Sequence, residues 1–215
     1  MRIGLFGGTF NPIHFGHLRA AEEVFDGFDM HHLYFIPSAL PPHKDWEKVA
    51  SAADRLEMTK LALTDHPGFL LSDAELQRCG PSFTIDTVNE FKDRLGADTE
   101  IYLVMGMDAF LEIDTWKSYR QLLALLPIVV MTRPCSAEKK HMSEFIRSKI
   151  SASYRFSEAE GAYLQDQLPQ IFLFDISMLD ISGTKIRHLV KQGCSIRFLV
   201  PPQVEAYIFE RGIYT

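Results

Sequence analysis

The stretch MRIGLFGGTFNPIHFGHLRAAEEVF, residues 1–25, decides how the rest of the chain is read. Its apolar run RIGLFGG predicts a buried strand that stops at Gly7-Gly8. From Gly16 the period changes. Leu18, Ala21, Val24 and Phe25 recur at helical spacing, with Arg19, Glu22 and Glu23 between them. His14 and His17 therefore fall at a strand-to-helix junction, where backbone N–H groups lack intrahelical partners and the helix dipole is positive. Such an end attracts anions.

Outward from this unit, strand and helix patterns alternate. HLYFIPS predicts a strand, ALPPHKDWEKV a polar loop and AADRLEMTKLALTD a helix. FLLSDAEL reads as a strand, and SFTIDTVNEFKDRL as a helix with Ser82 or Thr84 near its start. EIYLVMG and PIVVMTR are buried strands. IFLFDIS is a strand leading into a helix at GTKIRHLVKQG, and QVEAYIFERG is a closing helix. Residues 134–170 carry scattered charges and show no clear strand. Strands separated by helices imply right-handed crossovers, hence an α/β fold with a Rossmann-like, doubly wound, mostly parallel sheet and helices on both faces. Ligands of such sheets bind beyond the carboxyl ends of the strands.

Length and composition set bounds. The 215 residues predict one domain spanning 1–215 with a substantial core, and 47% hydrophobic with 23% charged residues exclude a disordered chain. A net charge of −6 argues against a nucleic acid polymer or an anionic membrane as partner, while leaving room for a local cationic site. Cys79, Cys135 and Cys194 form no CxxC pair, so a disulfide framework is not expected and a cytoplasmic location is. No apolar run approaches the ~20 residues that span a bilayer, and the chain starts directly on a strand.

Neither GxGxxG nor GxxxxGK[ST] occurs, so any phosphate site uses another device. Gly7-Gly8-Thr9 alone could be a tight turn, and Asn11-Pro12 could merely shape a loop. Two histidines also fall short of a zinc ligand set. The combination points elsewhere: glycines for close approach, two imidazoles at a helix start, and Gly16 between them suit nucleotide phosphate. A second constellation, ISGTKIRHL at 181–189, has the same logic. Ser182 is a natural N-cap. Capping does not account for Lys185 and Arg187 in the first turn, where cations oppose the dipole unless an anion sits among them. Arg187 adds a planar fork suited to phosphate.

GGTFNPIHFGH resembles the H-x-G-H signature of the nucleotidyltransferase superfamily, and ISGTKIR resembles its ISSTxIR signature, with Gly183 replacing the second serine. IPSALPPHK, PSFTIDT, GMDAF, DTW and MTRP follow in the expected order. Together these segments are similar to the family of bacterial nicotinate-nucleotide adenylyltransferases over nearly the whole chain, with 134–170 weakly covered.

The resemblance implies transfer of AMP from ATP to nicotinate mononucleotide, giving deamido-NAD and pyrophosphate, with Mg2+ assisting. It implies that His14 and His17 contact the ATP phosphates, His17 donating to the α-phosphate in the transition state. Lys44, Arg187, Ser182 and Thr184 would hold the triphosphate, and Gly8, Thr9 and Phe10 would line the nucleotide groove. Asp108 would sit by a ribose, or else cap the helix after its strand. Thr84 and Trp116 would form the pyridine site, the indole flat on the ring and backbone N–H groups receiving the carboxylate, with Thr87 nearby. Lys117 stands where relatives often carry an aromatic residue. His43 could be an accessory phosphate donor or a solvated loop residue, and Arg133 could pair with phosphate or close a structural salt bridge. Magnesium would ride on the phosphates and water rather than in a protein cage.

Overall fold

The opening apolar run is a strand, β1 (Arg2–Gly8), whose Ile3 and Leu5 face one side of a sheet and Phe6 the other. The computed structural model describes residues 1–39, 49–78, 80–132, 136–177 and 179–215. Among them, seven further strands join the same sheet: β2 (His32–Pro37), β3 (Phe69–Leu71), β4 (Glu100–Gly106), β5 (Ile128–Thr132), β6 (Arg155–Ser157), β7 (Ala162–Gln165) and β8 (Leu168–Asp175). The order is β3-β2-β1-β4-β5-β8-β7-β6. Pairings from β3 through β8 are parallel, and β7 and β6 add antiparallel at the edge.

The helices are α1 (Phe15–Gly27), α2 (Ala52–Ala62), α3 (Ala74–Gln77), α4 (Thr84–Leu95), α5 (Met107–Phe110), α6 (Tyr119–Leu125), α7 (Ser136–Phe145), α8 (Gly183–Lys191) and α9 (Pro202–Glu210). Strand alternation sorts them onto two faces. Ile101, Leu103 and Met105 of β4 join Ile85, Val88 and Phe91 of α4 and Leu122 and Leu123 of α6. On the other face, Val104 and Val129 meet Ala21 and Val24 of α1, Met58 of α2, Ile186 of α8 and Ile208 of α9. The expected doubly wound α/β architecture is present. β1 sits between β2 and β4, the point where strand order reverses, so a crevice opens past Gly8 and Gly106.

Two expectations change. FLLSDAEL is strand only over β3; Ala74 and Glu75 then turn inward on α3, whose start at Asp73 accepts from Leu76 and Gln77 N–H. Ser72-Asp73 is a helix-start signal that an apolar count overrides. The described part of the region 134–170, residues 136–170, is also structured. It forms α7, a π turn at Ile146–Ile150, and the β6–β7 meander onto β8. These strands hold three and four residues and carry Arg155, Ser157 and Gln165, too short and polar for a period-two pattern. No helix among the described residues is long and apolar enough to cross a membrane. Cys194 is an exposed free thiol, while Cys79 and Cys135 lie outside the described residues.

Candidate active site

At the β1–α1 junction the glycines make room for rings. A Cβ on Gly8 would lie 2.8 Å from the Phe10 ring, whereas Gly7 faces open space. Phe10 is buried at φ +46° and meets His17 edge-on, with 5.3 Å between centroids. His14 is the N-cap residue of α1 in extended conformation, and its carbonyl accepts from the N–H groups of His17 (2.9 Å) and Leu18 (3.2 Å). Its side chain does not cap. Instead the two imidazoles stack, 3.7 Å apart and 24° from parallel. Gly16 permits this, since a Cβ there would come within 3.0 Å of His14 Nδ1. His14 is only 6% exposed, and burial pushes its pKa down to about 4. It is therefore a neutral imidazole at pH 7, with no hydrogen-bond partner for Nδ1 among the described residues.

The second junction packs on the first. Ser182 caps α8, its Oγ accepting from Lys185 N–H at 3.2 Å. Arg187 reaches back from α8: Nη1 donates to the Asn11 carbonyl at 2.7 Å and Nη2 to Thr184 Oγ1 at 3.1 Å. The sequence leaves this arginine without a protein partner; the fold supplies one 176 positions away. Gly183 makes the approach possible, because a Cβ would stand 2.8 Å from Asn11 O. The replacement of the signature serine thus has a steric consequence that hydroxyl counting misses.

Asn11 is more than a loop former. Its Oδ1 accepts from Ala50 N–H (3.0 Å) and from the Tyr214 hydroxyl (2.7 Å). No sequence motif marks Arg55 as a site residue, yet it is 1% exposed and donates to three carbonyls, Thr9 (2.9 Å), Ala50 (3.1 Å) and Ala39 (3.2 Å). Burial lowers its pKa. The available signal was spacing: Arg55, Met58 and Thr59 share the inward face of α2. Lys44 and His43 fall in the segment between these anchors, and Arg133 after β5; all three lie outside the described residues.

Three cavities meet here. One of about 380 Å³ is lined by Thr9, Asn11, His14, His17, Thr184 and Arg187. A second, about 260 Å³, shares His14 and His17 and includes Asp108, Thr132 and Ser177. Asp108 is exposed in the first turn of α5, whose N-cap is Gly106. The third, about 450 Å³, shares Thr9 with the first and Gly106 with the second, and contains Phe83, Thr84, Trp116 and Lys117.

The half-buried Trp116 lines that third cavity, but its backbone N–H is already given to Ile113 O at 3.0 Å. Thr84 opens α4, where no side chain caps the first turn. Thr87 points away from any ligand role: it is buried, donates to Glu75 Oε1 at 2.9 Å and accepts from Arg78. Glu75 is 7% exposed, and desolvation raises its pKa against the opposing pull of its Ser82 and Thr87 hydrogen bonds. Lys117 pairs with Asp86 at 3.0 Å, with its ammonium 4.6 Å from the Phe83 ring centroid. The structure thus gathers His14, His17, Thr9, Thr184 and Arg187 on one side, and Thr84 and Trp116 on the other.

The described residues contain no group of three or more His, Cys, Asp or Glu placed to hold a metal ion. A cytidylyltransferase-like family model matches residues 5–189. A protein of Desulfatibacillum aliphaticivorans named probable nicotinate-nucleotide adenylyltransferase is 40% identical, with both chains covered in full. This chain belongs to the nicotinate-nucleotide adenylyltransferase family. A Geotalea daltonii protein of the same name is 41% identical over 100% of this chain and 98% of its own. Among solved structures, the fold is shared with the Plasmodium falciparum nicotinic acid mononucleotide adenylyltransferase complexed with NaAD. That match has a TM-score of 0.72 at 17% identity and covers 99% and 97% of the two chains.

Proposed function

We infer that the chain transfers AMP from ATP to nicotinate mononucleotide, giving nicotinate adenine dinucleotide and pyrophosphate, within one domain spanning residues 1–215. The observation that carries the reading is the stacked His14–His17 pair, which opens onto both polar cavities at the start of α1. The nucleophile is a phosphate monoester oxygen, largely ionised at neutral pH because its second pKa lies near 6. No side chain has to remove a proton from it. That oxygen forms a bond to the α-phosphorus as the bond to the bridging oxygen breaks, and the electron pair leaves with pyrophosphate.

The work of the protein is therefore alignment and charge stabilisation. His17, in the first turn of α1, is assigned the donor role toward the α-phosphate. Burial holds His14 neutral at pH 7, and phosphates beside it favour its protonated form. Ser182, Thr184 and Arg187 are assigned to the triphosphate, together with Lys44 on the strength of the resemblance alone. Gly8, Thr9 and Phe10 shape the groove. Asp108, an exposed carboxylate on the wall of the histidine-lined cavity, is assigned to the ribose. Among the described residues the two histidine-lined cavities present one carboxylate, Asp108, and no ligand cage, so a magnesium ion would be held mainly by phosphate and water and would supply neutralisation of phosphate charge. For the acceptor, Trp116 offers a stacking face, and the uncapped first turn of α4 at Thr84 offers N–H donors to a carboxylate. A carboxamide would set its NH₂ against one of them.

The test is pyrophosphate release with ATP, magnesium and, separately, nicotinate mononucleotide, nicotinamide mononucleotide and pantetheine phosphate. Release with the nicotinate acceptor well above the other two is expected. Release with none of them would leave a nucleotide-binding module without turnover, and preference for another acceptor would overturn the substrate assignment.

A further inference from the structure

We propose that Lys117 is a specificity determinant for the acceptor: its ammonium exchanges Asp86 for the carboxylate on the pyridine ring and so favours the acid over the amide. The proposal rests on the pyridine-acceptor reading of the cavity beside Trp116. Lys117 is the one cation among the described residues lining that cavity, against two acids, Glu75 and Glu112. Glu75 is answered locally by Thr87 and by Arg78, whose Nη2 lies 3.9 Å away. A ring carboxylate entering the cavity therefore has one flexible positive charge available among the described residues, and it follows Trp116 directly in sequence.

The present partner of that charge is easily exchanged. The side chains of Lys117 and Asp86 are 47% and 41% exposed, the setting in which ion pairs contribute little. Asp86 lies in the first turn of α4, so the helix dipole stabilises its carboxylate after the lysine leaves. Phe83 lines the same cavity beneath the ammonium, a face over which a cation can shift at small energetic cost. A compact charge on a flexible four-carbon stem suits such an exchange better than a guanidinium fork. A neutral carboxamide gains little from the same move.

The experiment compares kcat/KM for nicotinate and nicotinamide mononucleotides in the wild type, Lys117→Met, Lys117→Arg and Asp86→Asn, at low salt and at roughly 0.5 M salt. Lys117→Met should lower the acid-to-amide ratio by roughly five- to tenfold, mostly through KM for the acid, with the amide efficiency within about twofold of wild type. Lys117→Arg should keep most of the ratio, and Asp86→Asn should raise it. High salt should shrink the wild-type ratio and leave that of Lys117→Met unchanged. An unchanged ratio in Lys117→Met, or equal losses for both acceptors, would overturn the proposal. Should that variant fail to fold, a wild-type ratio indifferent to salt and to Asp86→Asn would overturn it equally. A wild type that adenylylates neither acceptor is a different result: the pyridine-acceptor reading itself then falls, taking this proposal with it.

Discussion

His14 is 6% exposed with its ring stacked on His17, whereas Lys117, across the cleft, keeps 47% of its side chain in solvent. The side assigned to phosphate is held by buried rings, close glycine contacts and backbone carbonyls gathered by Arg55 and Arg187. The side assigned to the acceptor rests on a half-buried indole, an open helix start and an exposed ion pair. The difference follows the chemistry. Charge developing at the α-phosphate is stabilised best by donors already in place, because preorganised dipoles need no reorganisation during reaction. Under the proposed roles, acid is told from amide by the N–H donors at the α4 start together with a change of partner by a mobile charge.

The contrast breaks most visibly at His17. His17→Ala should lower turnover by roughly 10²–10³ while ATP affinity changes much less, as expected for a donor used in the transition state. Turnover within a few-fold of wild type would make His17 a packing residue. His14 gives the next largest effect, read through pH. Its folded pKa of about 4 lies below the ordinary 6.5, so the unfolded chain binds the proton more tightly between these values. Its contribution is present in full above pH 6.5 and is lost as pH falls toward 4, by about 3 kcal/mol if the shift is fully expressed. Thermal melts across this window should show the slope, and His14→Asn should flatten it. Saturating ATP should also flatten it, since nearby phosphate raises the pKa of the bound form.

Arg187→Ala sharpens the comparison further. The helix-dipole argument alone expects the empty protein to keep or gain stability. The contact with Asn11 O predicts a loss of about 1–2 kcal/mol in denaturant unfolding, alongside weaker ATP use. The smallest effect belongs to the acceptor side: Trp116→Ala should raise KM for both pyridine nucleotides by roughly three- to tenfold and leave their ratio largely intact. A ratio abolished by that change would make the ring, rather than the charge and N–H groups, the selector.

Much of the cleft was legible because its signals are local. The change of period from residues 2–8 to the helix beyond Gly16 predicts β1 and α1, and the junction residues follow from that. Ser182 was readable as a cap for the same reason, and its Oγ does accept from Lys185 N–H. What escaped is local information of the wrong kind. Arg55 looks like an ordinary solvated helix residue until Thr9, Ala39 and Ala50 converge on it. Thr87 reads as a helix-start residue beside the pyridine site, but its hydroxyl is taken by Glu75, which the short helix α3 brings to it from within a predicted strand.

By itself the sequence determined the alternation of strands and helices, the parallel sheet with its crevice, and the two helix starts that border it. Those properties depend on residue period and on backbone groups that each segment carries with it. Only the tertiary structure decided which partners the polar groups find. Arg187 meets Asn11 from 176 positions away and Tyr214 meets it from 203. Burial removes water as the alternative partner, so each group takes whichever donor or acceptor the packed segments bring within reach, and no spacing along the chain encodes that choice.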